Sequence, residues 1–355
     1  MMIKILKYFR LLLYPFALIY QIGIWSRNKF FDFGIFKSRI FSLPIICVGN
    51  LTVGGTGKTP FTEYIIKLLN KNFKIAVLSR GYKRKTKGYF LSKADSTPIE
   101  IGDEPVQIKN KFPDITLAVD EKRVNGIQNL ISEIPGLEAI ILDDAFQHRY
   151  VKAGLNILLT DFNRLFYNDH LLPVGMLRED KSGKKRANII VVTKCPIYLS
   201  LEEKETIEKK IKPYDSQKIF FTGLYYKTPV SLFNNKNLEC NKNTNVLLVT
   251  GIANPLPLLS YLEHQFNAIE KLFFKDHNTY TNQNINKIYK IYQNIASENK
   301  IIITTEKDAV KLKLIKNLTP KIKDKIFYIP VYIDFLFNSK QIFENHILDY
   351  VKQDK

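Results

Sequence analysis

The run Gly49-Asn50-Leu51-Thr52-Val53-Gly54-Gly55-Thr56-Gly57-Lys58-Thr59-Pro60 lies between a β-rich segment, PIICVG (44–49), and a helical pattern carrying Phe61, Ile65, Ile66 and Leu69. A strand, a glycine loop and a helix in that order form a phosphate cradle: glycines let backbone N–H groups turn inward, and the helix N-terminus adds partial positive charge. In such a loop Gly54, Gly55, Thr56 and Gly57 would surround the phosphates, Lys58 would reach the terminal ones, and the Thr59 hydroxyl would ligate Mg²⁺. Thr52 stands where the strict pattern G-x-x-x-x-G-K-[ST] has its first glycine, and it joins the expected nucleotide-binding set. The competing reading is an ordinary glycine turn before a helix.

The surrounding rhythm fits the loop. Short β-rich runs, KIAVLS (74–79), ITLAV (115–119), AIIL (139–142), LNILL (155–159), NIIVV (188–192) and KIFFTGL (218–224), alternate with helical stretches. That alternation means βαβ units and a mostly parallel sheet with helices on both faces, a P-loop NTPase-like α/β fold. Residues 234–245 are polar and patternless, and a fresh β/α series follows, ending in the apolar run IFYIPVYI (326–333). A single core stops growing at roughly 250–300 residues, and the chain has 355. The expected division is an N-terminal amphipathic helix at 1–27, a core domain at 28–225, a linker at 226–245 and a smaller α/β domain at 246–355.

A phosphate loop also needs an acid at a neighbouring strand end to hold the metal. Asp143 and Asp144, after AIIL, supply it; Asp143 has the better position, and capping of a turn is the alternative. Lys and Arg outnumber Asp and Glu by 53 to 34, a formal charge of +19, which favours anionic partners. A general bias toward Lys, Asn and Ile also contributes to that excess. Cys47, Cys195 and Cys240 form no C-x-x-C pair, and the five histidines form no metal-ligand cluster, so a reducing compartment is the simplest reading.

Residues 11–25 hold twelve apolar residues in fifteen, yet a membrane crossing needs ~20 and Pro15 and Gln21 interrupt this one. The first 39 residues carry Lys4, Lys7, Arg10, Arg27, Lys29, Lys37 and Arg39 against a single acid, Asp32. Basic flanks around an apolar, aromatic-rich helix suit the headgroup region of an anionic leaflet, each nearby cation adding about 1 kcal/mol. A buried amphipathic helix is the alternative.

The set VGNLTVGGTGKTP (48–60), LSRGYKRKTKG (78–88), GDEPVQI (102–108), LDDAFQHR (142–149), LLPVGMLRE (171–179), FKDHNTYT (274–281) and TTEKDAVKL (304–312) resembles the tetraacyldisaccharide 4'-kinase family of lipid A biosynthesis. The matches run in order over most of the chain, and one departure is visible: Ala145 stands where the family usually has glycine. The resemblance implies ATP- and Mg²⁺-dependent phosphorylation of the 4'-hydroxyl of a membrane-embedded, tetraacylated glucosamine disaccharide 1-phosphate. It further implies a monotopic or peripheral enzyme on the cytoplasmic face of the bacterial inner membrane, with nucleotide between two α/β domains.

The resemblance also implies residue roles. A sugar hydroxyl needs a proton acceptor in line with the γ-phosphate; Asp103 matches the family's base and His277 its histidine partner. Without the resemblance, G-D-E-P is a common helix start, and Asp276 with His277 would cap the next helix. Arg178 matches a position suited to stabilising transferred phosphoryl charge. Arg80, Glu104, Arg123, Gln147, His148 and Glu179 are the expected substrate-binding residues. Arg80 is the best individual candidate among the cations Arg80, Lys83, Arg84, Lys85 and Lys87, for which a solvated loop is the plain reading. Glu306 and Lys307 are expected near the nucleotide base, although Thr305 with Asp308 also fits a helix cap.

Two rival functions follow from the same residues. One is a P-loop GTPase or other nucleotide-dependent regulator at the membrane; Thr193-Lys194-Cys195-Pro196 begins like a guanine-reading N/T-K-x-D loop but lacks its Asp. The other is a basic membrane- or nucleic-acid-binding protein without turnover, which explains the charge but not the G-K-T and D-D pair. No aromatic nucleic-acid signature is present, so nucleic acid is not expected as a partner, and no obligate protein partner is inferred.

Overall fold

The computed structural model describes residues 2–239, 241–315 and 318–353, with side chains of the first helix described from Leu12 onward. The side chains of Lys4, Lys7 and Arg10, and Cys240, lie outside the described residues. In chain order the strands are β1 (Ile45–Asn50), β2 (Ile75–Ser79), β3 (Phe90–Leu91), β4 (Thr116–Val119), β5 (Ala139–Asp143), β6 (Leu155–Asp161) and β7 (Ile189–Thr193). They continue with β8 (Lys218–Tyr226), β9 (Val230–Ser231), β10 (Asn245–Thr250), β11 (Ala268–Phe273), β12 (Lys300–Thr305), β13 (Ile326–Ile329) and β14 (Val331–Phe335).

Among the described residues these strands make two sheets, ordered β14-β8-β7-β6-β1-β5-β2-β4-β3 and β11-β10-β12-β13-β9. From β8 to β4 every neighbouring pair is parallel, and antiparallel strands β14 and β3 close the edges. The fold is the expected mostly parallel α/β sheet. Strands β1, β2, β5 and β7 are buried at every position, because helices cover both faces and leave no solvent side for polar residues. Two apolar clusters lie on the two sides of this sheet, one around Phe61, Ile65 and Ile141, the other around Leu78, Ile140 and Phe221.

The apolar run 326–333 reads as one strand in the sequence and becomes two. Pro330 has no N–H to give a ladder, so β13 stops at Ile329 in the smaller sheet and β14 starts at Val331 in the larger one. The last helix, Lys340–Gln353, then buries Phe343, Ile347 and Val351 in the larger lobe's core. Residues 331–353 therefore pack on the larger sheet, outside the smaller lobe in which the 246–355 division would put them. Within the expected linker, β9 pairs antiparallel with β13. The chain crosses between lobes twice side by side, and the Lys227 N–H donates to the Pro330 carbonyl at 2.9 Å.

The first helix, Met2–Asp32, runs through Pro15 and five residues past the expected end at 27. Its inner face sets Ala17, Tyr20, Ile24, Arg27 and Phe31 at helical spacing. Tyr20 donates to the Arg178 carbonyl at 2.8 Å and Arg27 to the Gln147 carbonyl at 2.8 Å. No helix among the described residues is long and apolar enough to cross a membrane.

Candidate active site

In open parallel sheets, ligands bind beyond the carboxyl ends of the strands. Here the carboxyl edges of both sheets, and the inner face of the first helix, border one cleft of ≈ 1140 Å³. The loop after β1 forms its floor. Gly54 and Gly57 carry φ of 96° and 80°, conformations that suit glycine, and Gly57 leads into the helix Lys58–Leu69. Thr52 has no positive φ. It is buried beneath the loop, where the Asn50 amide reaches its hydroxyl and, at 2.8 Å, that of Thr56. Glycine is thus not needed at the position where the strict loop pattern fails.

Lys194, singled out in the rival GTPase reading, braces this loop instead: its ammonium reaches the Gly55 carbonyl and pairs with Asp161 at 2.7 Å. Thr193 donates to the Thr56 carbonyl at 2.9 Å. Neither arrangement requires the Asp that a guanine-reading loop would add.

The two acids after β5 have opposite environments. Asp143 accepts from the Thr62 hydroxyl at 3.1 Å and the Ser79 hydroxyl at 3.3 Å; burial, then the charges of Glu104 and Asp144, push its pKa up to about 7. Asp144 faces the cleft, 3.7 Å from the Lys58 ammonium and 3.2 Å from Arg178. Burial works to raise its pKa, but those two cations overcome it and hold it below the usual carboxylate range. The left-handed residue of this turn is Asp144, with φ 47°. Ala145 itself packs in the apolar cluster, so its methyl replaces the family's glycine without needing a positive φ. The close approach is met from the other side, since a Cβ on Gly49 would sit 2.6 Å from Phe146 Cβ.

These residues fit a divalent cation. Crowding of Asp143, Asp144 and Glu104 is what such an ion relieves, and Mg²⁺ uses hard oxygens from one or two carboxylates plus phosphate and water in place of an all-protein cage. Thr59 and Asp144 line the cleft. Among the described residues no group of three or more His, Cys, Asp or Glu forms a cage.

Asp103 and His277 come from opposite lobes and meet at 3.2 Å, Asp103 Oδ2 to His277 Nδ1. Asp103 begins the helix Asp103–Lys111. His277 lies in the turn after β11 with φ 57°, a strained conformation costing about 1 kcal/mol or more that its surroundings must impose. Its Nε2 lies 3.0 Å from the Lys307 ammonium, an obligatory donor, so Nε2 is the acceptor and Nδ1–H points to Asp103. Lys307 also pairs with Asp276 at 3.0 Å and reaches Glu104 at 4.0 Å.

The other expected residues divide into those facing the cleft and those behind it. Arg80, Glu104, Arg123, Gln147, His148 and Arg178 border it. Arg123 is buried, and desolvation drops its pKa to about 10 against the pull of Asp143 and Asp144. Burial, then the Arg123 charge, also lowers the pKa of His148, whose Nε2 lies 3.1 Å from the Glu121 carbonyl. Glu179 lies behind the cleft wall, pairing with Arg186 at 2.7 Å and accepting from Gln147 at 2.9 Å. Arg84, one of the five loop cations, is spent on Glu121 at 2.7 Å. Glu306 accepts from Lys111 at 3.2 Å and from the Val331 N–H at 3.1 Å, so it ties the two lobes beside the crossing strands.

Tyr20, Ile24 and Arg27 of the first helix also border the cleft. Their spacing of i, i+4, i+7 marks one helix face, the signal that could have found them. Lys311, 3.2 Å from Asp103, carried no such signal.

Comparison with known proteins agrees with this geometry. The family model described as tetraacyldisaccharide-1-P 4'-kinase matches residues 9–352. The tetraacyldisaccharide 4'-kinase of Phocaeicola vulgatus is 46% identical, covering 99% of this chain and 97% of the relative. That of Flavobacterium johnsoniae is 45% identical over 97% and 98%. A crystal structure of LpxK from Aquifex aeolicus, described as an "apo" form in complex with ATP, superposes with a TM-score of 0.74 at 27% identity, covering 97% of this chain and 99% of that one. With the family model spanning residues 9–352 and relatives 46% and 45% identical along nearly their whole length, the chain belongs to the tetraacyldisaccharide 4'-kinase family.

Proposed function

We propose that this protein transfers the γ-phosphoryl group of ATP to the 4'-hydroxyl of a tetraacylated glucosamine disaccharide 1-phosphate, at the cytoplasmic face of the inner membrane. The observation that carries the reading is that one cleft has a phosphate loop as its floor, His277 on its wall with Asp103 hydrogen-bonded behind it, and an apolar helix at its rim. A water-soluble donor and a lipid acceptor both have a way in.

In this reading Gly54 to Thr59 cradle the phosphates, and Lys58 and Arg178 offset the charge that grows during transfer. Asp103 takes the hydroxyl proton as the acceptor oxygen bonds to phosphorus and the bond to ADP breaks. His277 holds Asp103 in line. Thr59 and Asp144, which line the cleft, would hold Mg²⁺, which neutralises phosphate charge when bound. Asp143, expected to have the better position, is instead buried behind them on the Thr62 and Ser79 hydroxyls. Arg80, Glu104, Arg123, Gln147 and His148 are the acceptor's contacts, with Glu179 holding Gln147. Thr52 supports the loop, and Glu306 and Lys307 close the nucleotide side. The test is transfer of label from γ-labelled ATP to a lipid-soluble product with detergent-dispersed disaccharide 1-phosphate; label released only as inorganic phosphate would sink the reading.

The outer face of the first helix is the membrane contact. Phe16, Ile19 and Trp25 are 63, 69 and 60% exposed, and the ammonium of Lys29 lies 5.9 Å from the Trp25 ring centroid and 5.7 Å from that of Phe33. Apolar rings beside cations suit an anionic headgroup layer. Phe16→Glu combined with Ile19→Glu should lower binding to phosphatidylglycerol vesicles about tenfold or more, since burying each side chain contributes about 1.5–3 kcal/mol. Sedimentation with vesicles measures this. Wild-type binding by the double variant would assign the contact to another surface.

A further inference from the structure

The helix Glu306–Leu312 of the smaller lobe lies along the helix Asp103–Lys111 of the larger one, and charged pairs cross that seam. Lys111 meets Glu306 at 3.2 Å, Lys307 reaches Glu104 at 4.0 Å, and Lys311 lies 3.2 Å from Asp103 Oδ2. The last pair is the most enclosed, with Lys311 10% and Asp103 17% exposed at the side chain. Behind Lys311 stands Asp308, fully buried, its Oδ1 3.9 Å from the same ammonium. Asp308 is itself fixed, its Oδ2 accepting from the Thr250 hydroxyl at 3.0 Å, the Gly251 N–H at 2.9 Å and the Thr305 hydroxyl at 2.8 Å. The smaller lobe thus brings one enclosed cation, backed by a fixed carboxylate, to the larger lobe's Asp103.

We propose that Lys311 is a positioning residue for phosphoryl transfer, holding Asp103 ionised and oriented in the filled cleft. The proposal rests on the reading of Asp103 as the base. A carboxylate beside a polyanionic nucleotide, with Glu104 next to it and water expelled, is driven toward its protonated form, in which it accepts no proton. The groups facing Asp103 are His277 and Lys311 from the smaller lobe, with Asp276, Lys307 and Asp308 behind them, and Glu104 on its own helix. Burial pushes the Asp103 pKa up, while the His277 hydrogen bond and then the Lys311 charge bring it below the usual carboxylate range. Because the two residues belong to different lobes, the base acquires its cation only where the lobes meet.

The test is the pH dependence of kcat and of KM for ATP in the full chain, for wild type, Lys311→Met, Lys311→Arg and Asp103→Asn. Without the cation Asp103 takes up a proton at higher pH, so the acid limb of Lys311→Met should move up by about one pH unit or more. Its deficit should fade toward alkaline pH, with KM for ATP within about twofold of wild type, since uniform binding is untouched. Lys311→Arg keeps the charge and should restore the wild-type limb. A loss of the same factor at every pH in Lys311→Met would overturn the proposal. Lys311→Gln repeats the measurement if the Met variant does not fold; collapse of both neutral variants would assign Lys311 to the stability of the seam and also overturn it. Full activity in Asp103→Asn would defeat the base reading itself, whereas an inactive Asp103→Asn with an unmoved limb in Lys311→Met would defeat the Lys311 proposal alone.

Discussion

Lys58→Ala should fold normally and lose about a thousandfold or more in turnover. The fold should survive because the Lys58–Leu69 helix is anchored by Phe61, Ile65, Ile66 and Leu69, all buried, whereas Lys58 ends in the cleft. Its ammonium lies 3.7 Å from Asp144, so the substitution also leaves that carboxylate with Arg178 as its near cation. Charge that grows on the phosphoryl group then meets an acid with less compensation, in a site where water cannot screen it. Label transfer measures turnover, thermal melting checks the fold, and nucleotide titration should find weaker ATP binding as well. Near-wild-type transfer by a folded Lys58→Ala protein would remove the phosphate loop from the mechanism.

Most of the larger sheet is legible in the sequence, for a physical reason. A strand buried on both faces must be apolar throughout, so PIICVG, KIAVLS, AIIL and NIIVV stand out against polar connections, and the runs end close to where the strands do. Legibility fails where the deciding contact is distant in the chain. The run 326–333 is uniformly apolar, and Pro330 marks a break without saying that β14 will cross to another sheet. Whether Pro15 would end the first helix was equally undecided by local rules, and packing of the Tyr20 face on the larger lobe outweighs the lost hydrogen bond.

The candidate site divides in the same way. Gly54, Gly57, Lys58, Asp143 and Asp144 carry their chemistry in local spacing. Asp103 and His277 are 174 positions apart, and nothing in either segment alone joins them; the family resemblance did. Glu179 and Arg84 are charged residues in motif positions whose partners, Arg186 and Glu121, are fixed by the fold. Lys311 reads as one more lysine among many, and only the meeting of two helices from different lobes gives it Asp103.

Removing Asp103 or His277 should each cost much of the rate, and removing both should cost little more than the worse single change, because residues that act as a unit give non-additive losses. In the proposed mechanism Asp103 accepts the proton, and His277, with Nε2 occupied by Lys307, aims Nδ1–H at it. The defect lies in proton transfer, so ATP affinity should survive Asp103→Ala, in contrast to Lys58→Ala. The sign of the pH effect follows from the environment of Asp103. Burial alone would raise its pKa, but the His277 hydrogen bond and the Lys311 charge prevail and lower it. The ionised, proton-accepting form therefore persists into acid, and kcat should fall only as pH drops toward that lowered value. His277→Ala withdraws the hydrogen bond that helps to lower it, so its acid limb should move to higher pH. Single and double variants measured across pH by label transfer separate the possibilities. If the double variant's loss equalled the product of the single losses and His277→Ala kept the wild-type limb, the two would act independently. Asp103 would then be a binding ligand, and His277 a residue that shapes the turn after β11.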